Sequence, residues 1–412
     1  GLRVFVVKPF SEVPMPHKVL LAFSGGLDTS YCVVWLKARG HEVHTATIDT
    51  GGFSAEELAR IEGLSPKLGA ASHTTVDARQ ELWDGYLRFL VAGNVLRGNL
   101  YPLSVSAERV CQARRTVAAA RAIGATALAH GSTGAGNDQV RFDVAFRALA
   151  PDLALLTPIR DLMPSRAEER AFLAERGFHF PEKTEAYSIN EGLWGTSVGG
   201  KETHDAWAML PDEAFPGGAI DPNLAPQSLV LRFEKGEPVA LDGADLGPVA
   251  VAQRLNALGG HYGIGRGIHL GDTILGIKGR VGFEAPAAHL LIAAHRELEK
   301  LVLTGRQLFG KESIGNLYGS LLHEGHFLDP VARDLEAYLA SSQARVTGEV
   351  RVRLYPRGFA VEGVRSPHTL MNAAVAAYGE GATLWTGEEA AGFAKLFGIQ
   401  QMLALRAEKG ME

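Results

Sequence analysis

Cysteine, net charge and long apolar runs are all scarce in this sequence, and each shortage argues against a class of protein. Only two cysteines, Cys32 and Cys111, occur in 412 residues, and neither belongs to a Cys-x-x-Cys or metal-binding pattern. We therefore predict that both are core residues of a protein in a reducing compartment, the cytoplasm. No stretch is long and apolar enough to cross a bilayer, so no membrane association is expected.

Neither sign of charge dominates the chain. The net charge is -5 and the isoelectric point is near 6.3, which gives no basic surface for gripping a phosphate backbone. We therefore expect no nucleic-acid partner. Because 412 residues exceed what one hydrophobic core usually covers, two domains with an appendage are expected.

Residues 1–17 are predicted to form an N-terminal extension. They contain Pro9, Pro14 and Pro16 but no long apolar segment or small-residue cleavage site, so they do not resemble a signal peptide. Met15 lies just before the first predicted strand and is a candidate natural start of the chain.

The most informative segment present is Phe23–Ser30, with the sequence FSGGLDTS, directly after the apolar run Lys18–Ala22. Two glycines let backbone N–H groups approach an anion, and the positive end of the following helix points to the same place. We predict that the pyrophosphate part of ATP binds there. Ser24 and Ser30 would hydrogen-bond phosphate oxygens, and Asp28 is a weak candidate ligand for Mg²⁺.

This loop lacks the Gly-Lys-Ser/Thr ending with which the common P-loop holds the terminal phosphates. It resembles the SGGxDS signature of the ATP pyrophosphatases, which adenylate a carbonyl or ureido oxygen and release pyrophosphate. The competing interpretation is a glycine-rich turn between a strand and a helix capped by aspartate.

From residue 18 to residue 182 short apolar runs alternate with amphipathic stretches, a pattern typical of βαβ units and a parallel sheet. Ligands of such sheets gather at the carboxyl ends of strands, where both the Ser24 loop and the segment His130–Thr133 are expected. The predicted strands are Val19–Phe23, Val43–Ile48, His73–Val76, Ala125–Ala129 and Leu153–Thr157, and the predicted helices include Thr29–Ala38, Ala55–Leu68, Ala107–Ala122 and Ser165–Arg176.

Residues 183–375 show shorter strands with turn signals and are predicted to form a second, α+β domain. Two hairpins are expected, one joining Leu229–Phe233 to Val239–Leu241 and one joining Glu349–Leu354 to Phe359–Val364. Residues 376–412 are predicted to be a C-terminal arm with a helix that starts at a capping box. Such a helix either folds back on its own chain or packs against another subunit, and the sequence favours neither.

A second segment, His130–Phe142 (HGSTGAGNDQVRF), combines glycines with several kinds of polar side chain. Thr133 and Asn137 offer neutral hydrogen bonds, Asp138 can hold an ammonium group, and Arg141 can pair with a carboxylate or phosphate. An amino-acid substrate needs this mixture because it carries one charge of each sign. The alternative is a capped helix N-terminus with the arginine in a surface ion pair.

Four motifs in this order resemble the argininosuccinate synthase family. They are Ser24–Ser30, Tyr101–Leu103, His130–Phe142, and Tyr187–Ser188 followed by Trp194–Ser197. The resemblance implies an ATP-binding domain like that of the adenine nucleotide α hydrolases, a synthetase domain and a homotetramer. It also implies arginine biosynthesis through ATP-dependent condensation of citrulline with aspartate, which yields argininosuccinate, AMP and pyrophosphate.

The resemblance further implies a role for each matching residue. ATP would contact Ala22, Phe23, Ser24, Gly25, Gly26, Leu27, Asp28, Thr29, Ser30, Ile48 and Gly131. Aspartate would be held by Thr133, Asn137 and Asp138, and citrulline by Tyr101, Ser106, Asn137, Arg141, Ser188 and Ser197. The candidate catalytic residues are Ser24, Asp28, Ser30, Asn137 and Asp138. The histidines His261, His323 and His326 have no metal spacing and are predicted to be structural or exposed.

Three positions depart from the family pattern. Ala135 stands where the family usually has lysine, and Lys201 is a candidate replacement. Gly271 and Phe283 stand where a glutamate and a tyrosine are common around citrulline. Asp272 would restore a partner for the α-ammonium after a one-residue shift. Alternatively, the substrate is an N-acylated citrulline. Its uncharged nitrogen would leave a buried carboxylate unpaired, so the absence of a glutamate at position 271 would suit it. The remaining alternative is a repacked pocket around citrulline itself.

Two further functions remain open at this point. Another ATP pyrophosphatase would amidate or thiolate a nucleotide or transfer RNA, but the chain lacks the expected basic surface and reactive cysteines. A non-catalytic nucleotide sensor would keep the ATP loop, but it would have no need of Asn137, Asp138 and Arg141.

Overall fold

The computed structural model describes residues 16–181, 187–376, 378–379 and 381–410. Most of the predicted extension, residues 1–17, and the predicted boundary at residues 182 and 183 therefore lie outside the described residues.

A parallel sheet forms the first part of the fold, as the alternating pattern predicted. Its strands lie in the order β3-β2-β1-β4-β5 and all four pairings are parallel. Seven of the eight residues of β2 are buried, which is typical of a parallel strand covered on both faces. The strands are β1 (Lys18–Ala22), β2 (Glu42–Asp49), β3 (Ser72–Asp77), β4 (Ala127–Ala129) and β5 (Ala154–Leu156).

Helices cover both faces of this sheet, and a π-helical turn, Trp83–Leu87, joins two of them. The four helices predicted from the sequence are confirmed, although the first begins two residues earlier, at Leu27. A capping box at Ser165 and Glu168 fixes the start of the last one. The helices are α1 (Leu27–Lys37), α2 (Ala55–Lys67), α3 (Arg79–Leu82), α4 (Arg88–Ala92), α5 (Ser106–Ala122), α6 (Asp138–Leu149), α7 (Pro158–Leu162) and α8 (Arg166–Ala174).

Two antiparallel sheets follow. Both predicted hairpins are confirmed: one joins Gln227–Glu234 to Glu237–Leu241, and the other joins Gly348–Tyr355 to Gly358–Arg365. The strands are β6 (Tyr187–Asn190), β7 (Thr196–Gly200), β8 (Gln227–Glu234), β9 (Glu237–Leu241), β10 (Ala244–Asp245), β11 (Arg266–Asp272), β12 (Lys278–Glu284), β13 (Gly348–Tyr355) and β14 (Gly358–Arg365). One sheet has the order β11-β12-β7-β6 and the other the order β10-β9-β8-β13-β14.

The hydrophobic core divides at the parallel sheet because side chains alternate between its faces. Val19 and Leu21 of β1 pack with α1 and α8, whereas Leu20 joins a larger cluster that extends to Leu354 of β13. One face of the parallel sheet therefore shares its core with the antiparallel part of the chain. The helices of that part are α9 (Pro248–His261), α10 (Pro286–Val302), α11 (Gly305–Glu324) and α12 (Pro330–Ser342).

The chain ends in two helices, α13 (Gly387–Phe397) and α14 (Ile399–Glu408). The predicted capping box is confirmed, since Glu389 N donates to Thr386 Oγ1 (3.2 Å) and Thr386 N donates to Glu389 Oε2 (2.8 Å). Neither helix has a buried residue. Within the described ranges, no helix is both long and apolar enough to cross a membrane.

Candidate functional site

The loop between β1 and α1 has the glycine-dependent geometry expected of an anion-binding turn. Gly25 has φ +68°, and a Cβ there would lie 2.8 Å from Cγ1 of Ile61. The Ser24 and Thr29 hydroxyls are 3.2 Å apart, which holds the loop against the first turn of α1. Ser30 is buried, and its Oγ has no hydrogen-bond partner in the described part of the chain.

The structure brings together the three segments predicted to contact ATP. Gly131 follows β4, and a Cβ at this position would lie 3.0 Å from Thr29 Cγ2 and 3.3 Å from Thr29 N. Ile48 lies near the carboxyl end of β2, the strand on the other side of β1. The Phe23 carbonyl accepts a hydrogen bond from Thr47 Oγ1 (2.7 Å), which ties the loop to that strand. All three segments therefore meet at one edge of the sheet, as expected for a parallel sheet.

Asp28 has a partner that the sequence analysis missed. It lies beside Glu169 of α8, whose side chain is buried and whose Oε2 has no partner among the described residues. Burial and the neighbouring Asp28 raise the pKa of Glu169 to about 8, so this carboxyl is predominantly protonated at neutral pH. No local pattern links two residues so far apart in the sequence.

Asp138 lies between two guanidinium groups. Arg109 Nε and Arg141 Nη1 each donate to it at 2.9 Å, one to each carboxylate oxygen. Burial alone would raise the pKa of Asp138, but the two arginines hold it at about 2, so the group is ionised. Asn137 Oδ1 accepts from the Ile274 backbone N–H (2.9 Å) and so connects α6 to the turn after β11. Thr133, the third residue predicted to bind aspartate, is exposed in the preceding loop.

Two residues predicted to bind citrulline meet at a histidine. Arg141 donates from Nε to the His323 carbonyl (2.8 Å) and from Nη2 to His323 Nδ1 (3.2 Å), and Ser106 Oγ is 3.4 Å from the same nitrogen. Burial and the Arg141 charge lower the pKa of His323 to about 3, so the ring is neutral. His323 was predicted to be structural or exposed; it is buried, and it lies within the candidate site.

Tyr101 contacts two aromatic rings at the side of the site formed by β11 and β12. Its ring stacks on His269 at 5.4 Å with an interplanar angle of 18° and lies 5.3 Å from the Phe283 ring. Phe283 pairs with Ser197 across β12 and β7. Tyr101 and Ser197, both predicted to bind citrulline, therefore both neighbour Phe283.

The remaining predicted residues are exposed. Ser188 is exposed on β6, opposite Gly199. Asp272 forms a 2.7 Å ion pair with Lys278, and both side chains are more than half exposed. Lys201, the candidate replacement for the missing lysine, is exposed in a 3₁₀ turn, Lys201–His204, after β7. The assignments of Asp272 to citrulline and of Lys201 to the missing charge stay predictions.

Gly271 has a clear packing role. A Cβ at this position would lie 2.5 Å from His269 Nε2, so any larger residue would displace the ring that stacks on Tyr101. Glycine at position 271 therefore makes room for the His269 ring.

Glu108 is a second buried carboxyl that the sequence analysis missed. Thr50 Oγ1 donates a hydrogen bond to its Oε2 (3.3 Å). Gln112 Nε2 donates to Thr50 Oγ1 (3.2 Å), and Gln112 Oε1 accepts from Arg109 Nη1 (3.1 Å). Burial raises the pKa of Glu108 to about 8. A polar network thus runs from the end of β2 to Arg109, which contacts Asp138. Position 108 on the buried face of the predicted helix α5 was the available signal, because an acidic residue is costly there.

Family models match both parts of the chain. One, described as Arginosuccinate synthase N-terminal HUP domain, matches residues 18–179, and another, described as Arginosuccinate synthase C-terminal domain, matches residues 187–404. The chain belongs to the argininosuccinate synthase family. The resemblance drawn from four motifs is therefore confirmed, as is the mixed α/β fold with a parallel nucleotide-binding sheet.

Curated argininosuccinate synthases are similar over almost their whole length. The Xanthomonas campestris protein is 44% identical over 93% of this chain and 97% of its own. The Xylella fastidiosa protein is 43% identical over 95% of this chain and 98% of its own. The Methanocaldococcus jannaschii protein is 38% identical over 94% of this chain and 98% of its own. The similarity thus reaches bacterial and archaeal members of the family.

Proposed function

We propose that this chain ligates L-citrulline to L-aspartate in arginine biosynthesis, with ATP converted to AMP and pyrophosphate. Membership of the argininosuccinate synthase family is the main support for this reaction. The structural observation that best supports it is the contact of Gly131 with Thr29, because it joins the Ser24 loop to the segment that bears Asn137, Asp138 and Arg141. The comparisons favour neither an N-acylated citrulline nor a nucleotide sensor.

The reaction proceeds in two steps at one carbon. The ureido oxygen of citrulline attacks the α-phosphorus of ATP, forming a citrullyl adenylate and releasing pyrophosphate. The amine of aspartate then attacks the activated carbon, AMP leaves with the former ureido oxygen, and a proton is lost from the nitrogen. Activation is needed because a ureido oxygen is a poor leaving group. The protein contributes chiefly orientation and charge stabilisation.

The ATP side of the site is assigned to the loop from Ala22 to Ser30, with Ile48 and Gly131. Backbone N–H groups and the start of α1 would receive the pyrophosphate oxygens. Asp28 fits a magnesium ion, because Mg²⁺ bound to ATP needs only one or two protein carboxylates, and Glu169 beside it would become a second ligand on losing its proton. When bound, Mg²⁺ would neutralise charge on the departing pyrophosphate.

The amino-acid side is assigned to the residues around Asp138 and His323. Thr133, Asn137 and Asp138 would hold aspartate. Arg109 and Arg141 keep Asp138 ionised, which suits it to receive an ammonium group. Citrulline is assigned to Tyr101, Ser106, Asn137, Arg141, Ser188, Ser197 and Asp272.

We further propose a cytoplasmic homotetramer. The apolar side chains of α13 and α14 support an arm that packs against another subunit, because Phe393, Leu396, Phe397 and Leu403 are each more than half exposed.

The reaction is tested by measuring pyrophosphate release from ATP with citrulline, aspartate or both. We expect release to require citrulline, and a product with the mass of citrulline plus aspartate less one water to require both. Heavy oxygen placed in the ureido group should appear in AMP. Ser24→Ala should slow release, whereas Ser341→Ala, on the exposed face of α12, should not. Release with neither amino acid present, or unlabelled AMP, would contradict the proposal.

A further inference from the structure

Arg97 is a cation beside the candidate citrulline site, and no role has yet been assigned to it. Its positive charge contributes to the lowered pKa of the His269 and His323 imidazoles and of the Asp272 carboxyl. In the described part of the chain, Arg97 has no ion-pair partner. The backbone of Arg97 pairs with that of Tyr101, so the residue is anchored to the stacked ring.

His323 has one ring nitrogen that is left to donate a hydrogen bond. Its Nδ1 accepts a hydrogen bond from Arg141, and a guanidinium can only donate. The proton of the neutral ring is therefore on Nε2. His323 is only 6% exposed, and its Nε2 has no partner among the described residues. A buried N–H without an acceptor is costly, so a ligand that supplies an acceptor gains affinity.

His269 adds a second unpartnered nitrogen. Its ring is held by stacking on Tyr101, and its Cε1 would lie 3.3 Å from a Cβ at Gly98. Its Nε2 extends over Gly271 and has no partner in the described ranges. A charge on His269 would lower the pKa of His323 further. Both rings have a lowered pKa, chiefly because of burial, so neither brings a fixed charge.

The charges around these rings leave room for an anion. Arg97 and Arg141 act on His323, and the carboxylate that opposes them is that of Asp138. Asp138 already receives Arg109 and Arg141, and Asp272 is paired with Lys278. Arg97 is thus a positive charge without a committed counter-ion, beside two nitrogens that can donate hydrogen bonds. A carboxylate matches this arrangement.

We propose that Arg97, with the Nε2–H groups of His269 and His323, binds the α-carboxylate of citrulline. The inference rests on the proposed function, since it names the part of that substrate which this subsite receives. A carboxylate there satisfies both unpartnered nitrogens and selects the His269 tautomer protonated on Nε2. The same subsite discriminates against ureido compounds that lack the carboxylate.

Two truncated ligands separate the carboxylate from the ammonium group. The compound 5-ureidopentanoate keeps the ureido group and the carboxylate but lacks the α-ammonium, whereas carbamoylputrescine keeps the ureido and ammonium groups but lacks the carboxylate. Binding of both compounds and of citrulline is measured by calorimetry on the full chain, wild type and Arg97→Gln. Citrulline and 5-ureidopentanoate should each bind about 10- to 100-fold more weakly to the variant, the range expected for one lost charged hydrogen bond. Carbamoylputrescine should be unaffected.

Further variants distinguish recognition from a merely structural role. Arg97→Lys should recover part of the lost affinity because it keeps the charge. His269→Phe should keep the stacking on Tyr101 but weaken the same two ligands, because both ring nitrogens are gone. Arg306→Gln, at an exposed position on α11, is the matched control and should change nothing. Thermal unfolding of each variant shows whether it is folded.

Equal weakening of all three ligands, or unchanged binding of the two carboxylates, would overturn the inference. Because binding is measured without turnover, the result stands apart from the ligation itself. A wild type that binds citrulline through Arg97 but forms no argininosuccinate would refute the proposed function and leave the carboxylate subsite intact. Normal ligation by the wild type, together with unchanged selectivity among the three ligands in Arg97→Gln, would refute the carboxylate subsite and leave the proposed function intact.

Discussion

Gly131 lies directly against Thr29, so that a Cβ added at position 131 would be 3.0 Å from Thr29 Cγ2 and 3.3 Å from Thr29 N. The contact joins the loop after β4 to the first turn of α1. The close approach of these two segments, which carry the strongest sequence motifs, therefore depends on the absence of a side chain at position 131.

Replacing this glycine should move the two loops apart. Gly131→Ala is expected to raise the KM for ATP by about tenfold, because a shift of a few tenths of an ångström misaligns groups that must act together. Steady-state kinetics with ATP varied would measure this. Gly63→Ala, in α2 where a Cβ meets no atom within 4 Å, is the control and should leave the KM unchanged. An unchanged KM in Gly131→Ala would show that the contact does not position the loop.

Glu108 should make stability depend on pH. Its pKa is about 8 in the folded protein, whereas an unperturbed glutamate has a pKa of 4.5, so the folded state prefers the protonated form. The cost of this carboxyl is absent below pH 4.5, grows as the pH rises, and is complete above pH 8.

The variant Glu108→Gln should therefore gain stability relative to wild type between pH 5 and pH 8, by about 1 to 3 kcal/mol. Urea unfolding at several pH values would measure the difference. Glu312→Gln, at an exposed position on α11, should show no such trend. A constant difference across the range would mean that Glu108 ionises normally in the folded state.

Asp138 should contribute stability of the opposite pH dependence. Its pKa is about 2 in the folded protein, whereas an unperturbed aspartate has a pKa of 3.8. Its contribution is therefore present above about pH 4 and is lost as the pH falls through about 2. Asp138→Asn should cost about 1 to 2 kcal/mol at pH 7, because two guanidinium groups lose an ionised acceptor, and less at pH 3. Denaturant titrations at the two pH values would show this. A larger loss at pH 3 would contradict the assigned pKa.

The terminal helices should affect assembly more than folding. Neither α13 nor α14 buries a side chain within its own chain, so truncation after Thr383 should leave the thermal unfolding of the remaining chain nearly unchanged. Sedimentation of the truncated chain should show a species smaller than the full-length assembly. If both chains sediment as the same oligomer, the arm does not hold the subunits together.

The sequence alone determined the features that depend on neighbours along the chain. Alternating apolar runs predicted the parallel sheet, turn residues predicted both hairpins, and Thr386 with Glu389 predicted a helix start, all of which are confirmed. These patterns are readable because periodicity and capping act over a few residues. The ordered motifs also predicted the family, which the comparisons confirm.

Only the tertiary structure decided which distant groups meet. Arg141 and His323 are 182 positions apart and yet share a hydrogen bond, and Asp28 meets Glu169 only because α8 packs beside α1. The burial of Glu108 and the two unpartnered imidazole nitrogens likewise depend on how the elements pack. Burial and contact set the pKa and the hydrogen-bonding needs of a side chain, and neither is a property of its immediate neighbours in the sequence.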